Sequence, residues 1–174
     1  YEALEFWGPG AEQDTLKALS MLPTQPDEIL EIGCGQGIAT RTLAQHAHVT
    51  AVDNDEPSLQ RLKGKAQTLG LRDKITTVCA SMTELPFAEG SADVIWAEGS
   101  AYIMGVENAF KAWRPLLKEG GILVLSDLVW NIDTPSEDTV AFWQKEYPDV
   151  GSVEKRIKQA NAAGYHALET FPIS

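Results

Sequence analysis

The residues best suited to chemistry stand at the ends of two neighbouring apolar segments. The first segment runs into a turn that holds Gly33, Gly35 and Gly37, and the second ends on Asp53. Because glycine has no Cβ and tolerates positive φ, this turn can bend sharply and approach a ligand closely. A carboxylate about twenty residues after the first glycine, at the tip of the neighbouring strand, can accept hydrogen bonds from a ribose diol. The pattern therefore predicts a nucleoside-bearing cofactor at the carboxyl ends of a parallel sheet.

The spacing of the glycines selects among nucleoside cofactors. The dinucleotide fingerprint Gly-x-Gly-x-x-Gly would place its third glycine where the chain has Ile38. The sequence from Glu31 to Gly37 instead resembles motif I of the class I S-adenosylmethionine-dependent methyltransferases of the small-molecule type. In that family the acid of motif I lies near the methionine end of the cofactor, and an acid in the position of Asp53 binds the ribose. The resemblance thus implies S-adenosylmethionine as the cofactor.

Two further segments resemble the same family. Residues 80–95 look like its Leu-Pro-Phe stretch, although Ser81 stands where members usually have an Asp that reaches the adenine amino group. The Ser81 hydroxyl can still accept a hydrogen bond, and the backbone N–H of Met82 is a candidate donor to adenine N1. Residues 114–123 resemble the family's Arg-x-Leu-Lys-Pro-Gly-Gly-x-Leu segment, with a glutamate in place of the proline. The resemblance extends over roughly residues 12–130.

The candidate cofactor-binding residues follow from these motifs. They surround the glycine turn, the end of the second strand and the segments after the third and fourth strands. We expect contacts to the cofactor from Glu31, Gly33, Cys34, Gly35, Gly37, Asp53, Asn54, Ser81, Met82 and Ala97.

The loop after the fourth strand should face the methyl acceptor, because ligands of open α/β sheets sit beyond the carboxyl ends of the strands. Glu98 and Tyr102 are its best-placed polar side chains and are the candidate catalytic residues. Glu98 could deprotonate an acceptor, or bind the cofactor or a cationic substrate. Alternatively, it only forms hydrogen bonds to the loop backbone. The loop lacks the Asn/Asp-Pro-Pro-Tyr signature of DNA and protein-glutamine methyltransferases.

These residues predict an S-adenosylmethionine-dependent methyltransferase that moves a methyl group to an unidentified small molecule by in-line displacement. A sulfonium is already an activated methyl donor, so positioning supplies much of the catalysis and no nucleophilic side chain is needed. The three histidines form neither a Ser-His-Asp pattern nor a metal site. Two other classes stay open. One is a NAD-dependent oxidoreductase, although Ile38 stands where the dinucleotide fingerprint requires its third glycine. The other is a non-catalytic S-adenosylmethionine-binding protein.

The elements that must position these groups alternate between strand and helix patterns. Such alternation predicts an α/β, Rossmann-like, doubly wound and mostly parallel sheet. The resemblance implies a seven-stranded methyltransferase fold of strand order 3-2-1-4-5-7-6, and we expect its last strand to be missing from this chain. The alternative is that the sixth strand pairs directly with the fifth. The expected strands span residues 28–33, 48–53, 74–80, 92–97, 122–128 and 165–171, and the expected helices span residues 11–22, 37–46, 106–117, 136–146 and 150–163, with one more opening at Asp55.

Length, charge and cysteine content bound the remaining possibilities. The 174 residues are expected to form a single domain, with residues 1–22 as an N-terminal flap and helix. The net charge of −11 and the lack of a basic run disfavour a nucleic-acid partner. The longest apolar stretch, residues 121–129, is too short to cross a bilayer. Cys34 and Cys79 lack the spacing of a zinc site, and together with the lack of a signal-peptide pattern they favour a cytoplasmic protein with reduced thiols. The oligomeric state is not predicted.

Overall fold

The computed structural model describes residues 11–130, 137, 140, 145 and 147–173. Strands and helices alternate through this part of the chain, as the sequence predicts. The strands are β1 (Glu28–Ile32), β2 (His48–Asp53), β3 (Ile75–Cys79), β4 (Ala92–Glu98) and β5 (Leu117–Ser126). The helices with described bounds are α1 (Glu12–Ser20), α2 (Ile38–Leu43), α3 (Glu56–Thr68), α4 (Val106–Trp113) and α5 (Val153–Ala162). Short 3-10 turns span Arg72–Lys74, Ala101–Ile103 and Arg114–Leu116.

The five described strands form one sheet in the order β3-β2-β1-β4-β5, with every neighbouring pair parallel. The direction in which the sheet grows reverses between β1 and β4. In such sheets, ligands bind in the crevice beyond the carboxyl ends of the strands at this reversal. The described strands thus have the Rossmann-like α/β topology that the sequence predicts.

Helices cover both faces of the sheet, and each face has its own apolar core. On one face, α2 and α3 pack through Leu43 and Leu62, which have no exposed surface, against Trp96 of β4. On the other face, α4 packs through the fully buried Trp113 against Ile95. Because successive side chains of a strand point to opposite faces, Ile95 and Trp96 belong to different cores. Burial on both faces explains why the strands read as continuous apolar runs.

The start of α3 and the end of α4 are both set by local chemistry. As predicted, the Asp55 carboxylate caps α3 by accepting a hydrogen bond from the Ser58 N–H at 3.0 Å. The helix predicted over residues 106–117 ends earlier, at Trp113. Pro115 has no N–H to continue the helix, so the chain tightens into a 3-10 turn. β5 therefore begins at Leu117, before the predicted start of that strand.

The predicted sixth strand, residues 165–171, is wrong, because this segment forms neither strand nor helix. Tyr165 is held instead through its side chain, whose hydroxyl donates to the Phe110 carbonyl at 2.9 Å. The Lys17 ammonium lies 4.3 Å from the centre of the Phe171 ring. Within the described ranges, no strand lies beside the outer edge of β5, so a strand here would have no ladder to join.

Two other predictions lie wholly or largely outside the described residues. They are the flap at residues 1–10 and the helix at residues 136–146. None of the helices in the described ranges combines the length and the apolar composition that a bilayer span requires.

A buried ion pair joins the start of α5 to the end of β5. The Arg156 guanidinium donates through Nε to the Asp127 carboxylate at 2.6 Å, and these two side chains are 8% and 5% exposed. Arg156 also donates to the Tyr147 hydroxyl at 2.9 Å and to the Asp149 carboxylate at 3.2 Å. The Tyr147 hydroxyl in turn donates to Asp127 at 2.9 Å. The network fixes residues 147–156 beside the carboxyl end of β5.

We expect Arg156→Met to lower the free energy of unfolding by about 3–5 kcal/mol, because it leaves the Asp127 carboxylate buried without its partner. Urea unfolding followed by circular dichroism measures this change. Lys155→Met is the matched control, since the ion pair of Lys155 with Asp149 is solvent-exposed and should contribute at most about 1 kcal/mol. Equal losses of stability in the two variants would contradict the prediction.

Candidate functional site

A cavity of about 530 Å³ opens at the carboxyl ends of the central strands. Its wall is built from the turn after β1, the end of β2, the segments after β3 and β4, and part of α1. These segments meet because parallel strands present their carboxyl ends at one edge of the sheet. The volume falls within the usual range of ligand sites, about 300–1,000 Å³. The cavity lies where the sequence predicts a cofactor.

The turn after β1 is tied to the end of β2 by three successive N–H groups. Gly33 and Cys34 both donate to the Val52 carbonyl, at 2.8 and 3.0 Å. Gly35 donates to the Asp53 carboxylate at 2.8 Å. The three glycines of the turn have φ between 52° and 77°, the left-handed region that favours glycine. The path of the turn therefore depends on its glycines and on β2 together.

Each glycine of the turn meets a different neighbour. A Cβ on Gly33 would lie 2.4 Å from the Cβ of Ser100, and a Cβ on Gly37 would lie 2.3 Å from a methyl group of Leu62 in α3. These two glycines therefore permit close packing inside the protein. A Cβ on Gly35 would meet no protein atom within 4 Å. Because Gly35 borders the cavity, its missing side chain leaves that space to a ligand.

The Asp53 carboxylate both holds the turn and faces the cavity. Its Oδ2 accepts the Gly35 N–H at 2.8 Å, and its Oδ1 accepts the Asp55 N–H at 2.9 Å. Each carboxylate oxygen has two lone pairs, so the group keeps acceptor sites for a ligand hydroxyl. Asp53 and the neighbouring Asn54 both line the cavity.

Glu31 is a buried acid in the wall of the cavity. The residue is 2% exposed, and its Oε2 accepts a hydrogen bond from the Thr40 hydroxyl. Burial raises the pKa of Glu31 to about 8, and the negative charges of Glu98 and Asp53 add to the increase, while the hydrogen bond from Thr40 opposes it. At neutral pH the carboxyl group is therefore largely protonated.

Glu98 is held at the end of β4 by two side chains rather than by loop backbone. Its Oε1 accepts hydrogen bonds from the Thr15 hydroxyl at 2.7 Å and from the Trp96 indole N–H at 2.8 Å. These two donors hold the carboxyl group in one orientation. Tyr102 follows in the 3-10 turn after β4, with 49% of its surface exposed. Its ring packs edge-on against Tyr147, with the ring centres 5.6 Å apart.

The cavity wall contains most of the predicted site residues. Those that line it are Glu31, Gly33, Cys34, Gly35, Asp53, Asn54, Ser81, Met82, Glu98 and Tyr102. Gly37 and Ala97 are not part of the wall. Gly37 packs against Leu62 of α3, and Ala97 is fully buried in the core on the α4 face. Neither residue offers a side-chain surface to the cavity.

Sequence reasoning missed the residues that reach the cavity from outside the motifs. α1 contributes Glu12 and Thr15, and the loop after β4 contributes Ser100. The Ser100 hydroxyl donates to the Ile32 carbonyl at 2.7 Å and so joins that loop to β1. Thr15 is 83 positions from its partner Glu98. No local pattern in the sequence pairs residues that far apart.

The charged side chains that line the cavity are all acidic. Among the described residues of the wall, five carry carboxyl groups, of which that of Glu31 is largely protonated at neutral pH, and none is Lys, Arg or His. The five are Glu12, Glu31, Asp53, Asp55 and Glu98. Such a wall attracts positively charged ligands and disfavours phosphate and carboxylate groups. The Cys34 thiol also lines the cavity, and burial followed by the charges of Glu31 and Asp53 raises its pKa, so it stays protonated.

Comparison with known proteins identifies relatives of this chain. Residues 29–121, just over half of the 174 residues, match the methyltransferase domain family. The chain is 32% identical over 98 residues to a sterol 24-C-methyltransferase of Gibberella zeae, an alignment that covers 55% of this chain and 26% of that protein. It is 29% identical over 119 residues to a 27-O-demethylrifamycin SV methyltransferase of Amycolatopsis mediterranei, covering 66% of this chain and 44% of that protein. The chain thus spans less than half the length of these curated relatives.

A solved structure shares the fold at lower sequence identity. It is a SAM-dependent methyltransferase from Geobacter sulfurreducens in complex with S-adenosyl-L-homocysteine, which superposes with a TM-score of 0.81 at 20% identity. The superposition covers 97% of this chain and 69% of that chain. The likeness establishes that the two chains share one architecture.

We expect Glu31→Gln to weaken the pH dependence of stability. In the unfolded chain the Glu31 carboxyl ionises near pH 4.5, whereas in the folded protein burial raises its pKa to about 8. Between these values the folded state binds more protons, so its stability decreases as the pH rises through this window. Glutamine keeps an acceptor for Thr40 and carries no charge. The variant should therefore avoid the decrease in the free energy of unfolding, on the order of 3 kcal/mol, that the parent protein shows between pH 5 and 9.

Urea unfolding at pH 5, 7 and 9 measures this effect. Glu28→Gln is the matched control, because Glu28 lies in the same strand but is exposed. The control should lose stability with pH as the parent protein does. If Glu31→Gln also did so, Glu31 would not be the buried group that titrates.

Proposed function

Because this chain belongs to the methyltransferase domain family, we propose that it is an S-adenosylmethionine-dependent methyltransferase that acts on a small molecule. The cavity at the ends of β1, β2 and β4 holds the cofactor, and the acceptor enters beside Glu98 and Tyr102. The net charge of −11 and the acidic wall argue against a nucleic acid as the acceptor. Cys34 and Cys79 are free, which favours a reducing compartment and so a cytoplasmic location.

The observation that carries this proposal is the geometry at Gly35 and Asp53. The Asp53 carboxylate lies 2.8 Å from the Gly35 nitrogen, and both residues border the cavity. A Cβ on Gly35 would project into space that no protein atom fills. A ribose fits this arrangement, because its hydroxyls can donate to the carboxylate while the glycine lets the backbone come close.

The remaining lining residues are assigned from the family resemblance. Glu31 serves the methionine end of the cofactor, and Ser81 and Met82 serve its adenine. The Met82 carbonyl accepts a hydrogen bond from the Trp113 indole N–H at 3.1 Å, which holds this segment in place. The polarisable Met82 side chain suits the face of a purine ring. The Ser81 hydroxyl oxygen accepts the Thr83 N–H at 3.3 Å and lies 2.8 Å from the Thr83 hydroxyl oxygen. When Ser81 donates to that hydroxyl, it keeps one lone pair for the adenine amino group.

Catalysis in this site requires positioning more than side-chain chemistry. When bound, the cofactor supplies a methyl group that is already activated on a sulfonium. The residues of this chain hold an acceptor atom in line with that group and exclude water, which can contribute on the order of 7–11 kcal/mol. Glu98 receives hydrogen bonds on Oε1 from the described residues, and its Oε2 is available to take a proton from a hydroxyl or amine acceptor. The Tyr102 hydroxyl can orient the same acceptor.

We expect the purified protein to bind S-adenosylhomocysteine, and not NAD, in isothermal titration calorimetry. Gly35→Ala should weaken this binding at least about tenfold, because its methyl group occupies space that the ligand needs. Gly70→Ala is the matched control. Gly70 also has a positive φ, which is 69° compared with 52° for Gly35. At each of the two glycines, an added Cβ would meet no protein atom within 4 Å.

The two variants carry similar backbone strain, but only Gly35 borders the cavity. Gly70→Ala should therefore bind as the parent protein does. Binding of NAD in place of S-adenosylhomocysteine would contradict the proposal and favour an oxidoreductase. Equal affinities in the two variants would show that the turn is not the ligand surface.

We expect Asp53→Asn to weaken binding of S-adenosylhomocysteine by about 1–3 kcal/mol, because the amide loses acceptor capacity toward the ribose. The same calorimetry with the 2′,3′-dideoxy analogue separates this cause from a general change of the turn. The parent protein should prefer the ligand with both hydroxyls, and the variant should lose much of that preference. A variant that keeps the full preference would refute a direct contact between Asp53 and the ribose.

A further inference from the structure

Glu98 is the acid of the cavity whose geometry is most strongly fixed. Two donors, the Thr15 hydroxyl and the Trp96 indole N–H, converge on its Oε1 at 2.7 and 2.8 Å. Trp96 is fully buried, so the Glu98 side chain is anchored from the core. Glu98 thus holds its carboxylate in one orientation at the cavity wall.

The described wall has no cation that would neutralise the Glu98 carboxylate. The other carboxyl groups of the wall belong to Glu12, Glu31, Asp53 and Asp55, of which that of Glu31 is largely protonated at neutral pH. Residues 1–10, which precede α1, include no Lys, Arg or His in their sequence. The carboxyl groups repel each other, and the charge of Glu98 is one cause of the raised pKa of Glu31. A positive charge placed in the cavity would interact favourably with every carboxylate around it.

Methyl transfer changes the charge of the ligand that occupies the proposed cofactor site. The bond between sulfur and the methyl carbon breaks, its electron pair stays on sulfur, and the acceptor atom forms the new bond to carbon. A hydroxyl or amine acceptor releases one proton, which Glu98 Oε2 can take up and pass to water. The sulfur is positively charged in S-adenosylmethionine and neutral in S-adenosylhomocysteine. Donor and product therefore differ by one positive charge at one atom.

We propose that Glu98 is a specificity-determining residue that distinguishes the donor from the product by the charge on sulfur. Its fixed carboxylate favours the sulfonium and loses this interaction when the methyl group leaves, so it selects the charged donor and assists release of the neutral product. This inference rests on the proposed function. It adds that the acidic wall acts on the donor itself, and not only on the acceptor.

The size of the effect follows from the size of the cavity. A sphere of about 530 Å³ would be about 10 Å across, which sets the scale of the distance between the ligand sulfur and the Glu98 carboxylate. At an effective dielectric constant of about 20, two unit charges about 10 Å apart change a binding constant roughly tenfold. Removing the Glu98 charge should therefore reduce the preference for the sulfonium ligand by about that factor.

The experiment compares dissociation constants of three ligands measured by calorimetry. They are S-adenosylmethionine, the neutral S-adenosylhomocysteine, and sinefungin, whose amine gives a stable positive charge in place of the sulfonium. Glu98→Gln removes the charge and keeps an acceptor for Thr15 and Trp96. Glu89→Gln is the matched control. Glu89 is exposed in the turn that precedes the amino end of β4, whereas Glu98 lies at the carboxyl end of that strand.

The expected result is a change in the ratio of dissociation constants. In Glu98→Gln, the preference for S-adenosylmethionine and sinefungin over S-adenosylhomocysteine should decrease about tenfold, whereas Glu89→Gln should leave it within about twofold of the parent protein. If all three ligands bind but the ratio is the same in both variants, the inference is overturned and the proposed function stands. If none of the ligands binds the parent protein, the proposed function fails, and the inference with it.

A second pair of variants tests the anchoring of Glu98 without changing its charge. Thr15→Val removes the hydroxyl donor to Glu98 Oε1 and leaves the indole donor, so the carboxylate is less well oriented. The preference for the charged ligands should then decrease about threefold. Thr15→Ser restores the hydroxyl and should restore the preference. A general loss of structure at α1 would weaken all three ligands alike and leave the ratio unchanged, which would overturn the role given to this contact.

Discussion

Three consecutive N–H groups in the turn after β1 bind the end of β2, and the cavity depends on these bonds. Gly33 and Cys34 share the Val52 carbonyl, and Gly35 binds the Asp53 carboxylate. Positive φ at the glycines lets the backbone present these groups in succession. The backbone that closes the junction of β1 and β2 is therefore also the surface offered to a ligand, so stability and binding share the same contacts.

The cavity combines this rigid backbone with a concentration of negative charge that opposes folding. Glu31 is buried beside other acids, and its pKa of about 8 expresses the cost of ionising it there. The hydrogen bond from Thr40 offsets part of that cost. A bound cation would offset more, so the ligand is expected to stabilise the same groups that destabilise the empty cavity. Perturbed pKa values of this kind cluster at functional sites.

The part of the cavity that the proposed function assigns to the acceptor is supported by a separate set of contacts. Tyr102 packs edge-on against Tyr147, whose hydroxyl joins the buried pair of Asp127 and Arg156. This pair connects α5 to the end of β5, the strand farthest in the sheet from β2, to which the proposed function assigns the ribose. In the proposed function, the segments after β1, β2 and β3 carry most of the groups assigned to the cofactor, and the end of β4 with the turn that follows it carries those assigned to the acceptor.

The sequence by itself determined the glycine turn, the acid at the end of β2, the cap of α3 and the alternation of strands and helices. Each of these is a local feature, because backbone conformation and side-chain spacing within a few residues decide it. The tertiary structure decided that Thr15 holds Glu98, that Leu62 crowds Gly37, and that Glu31 keeps its proton. It also decided that residues 165–171 form no strand, since a strand needs a neighbour to pair with. Such contacts and electrostatic shifts arise between segments far apart in the chain, and only the assembled fold brings those segments together.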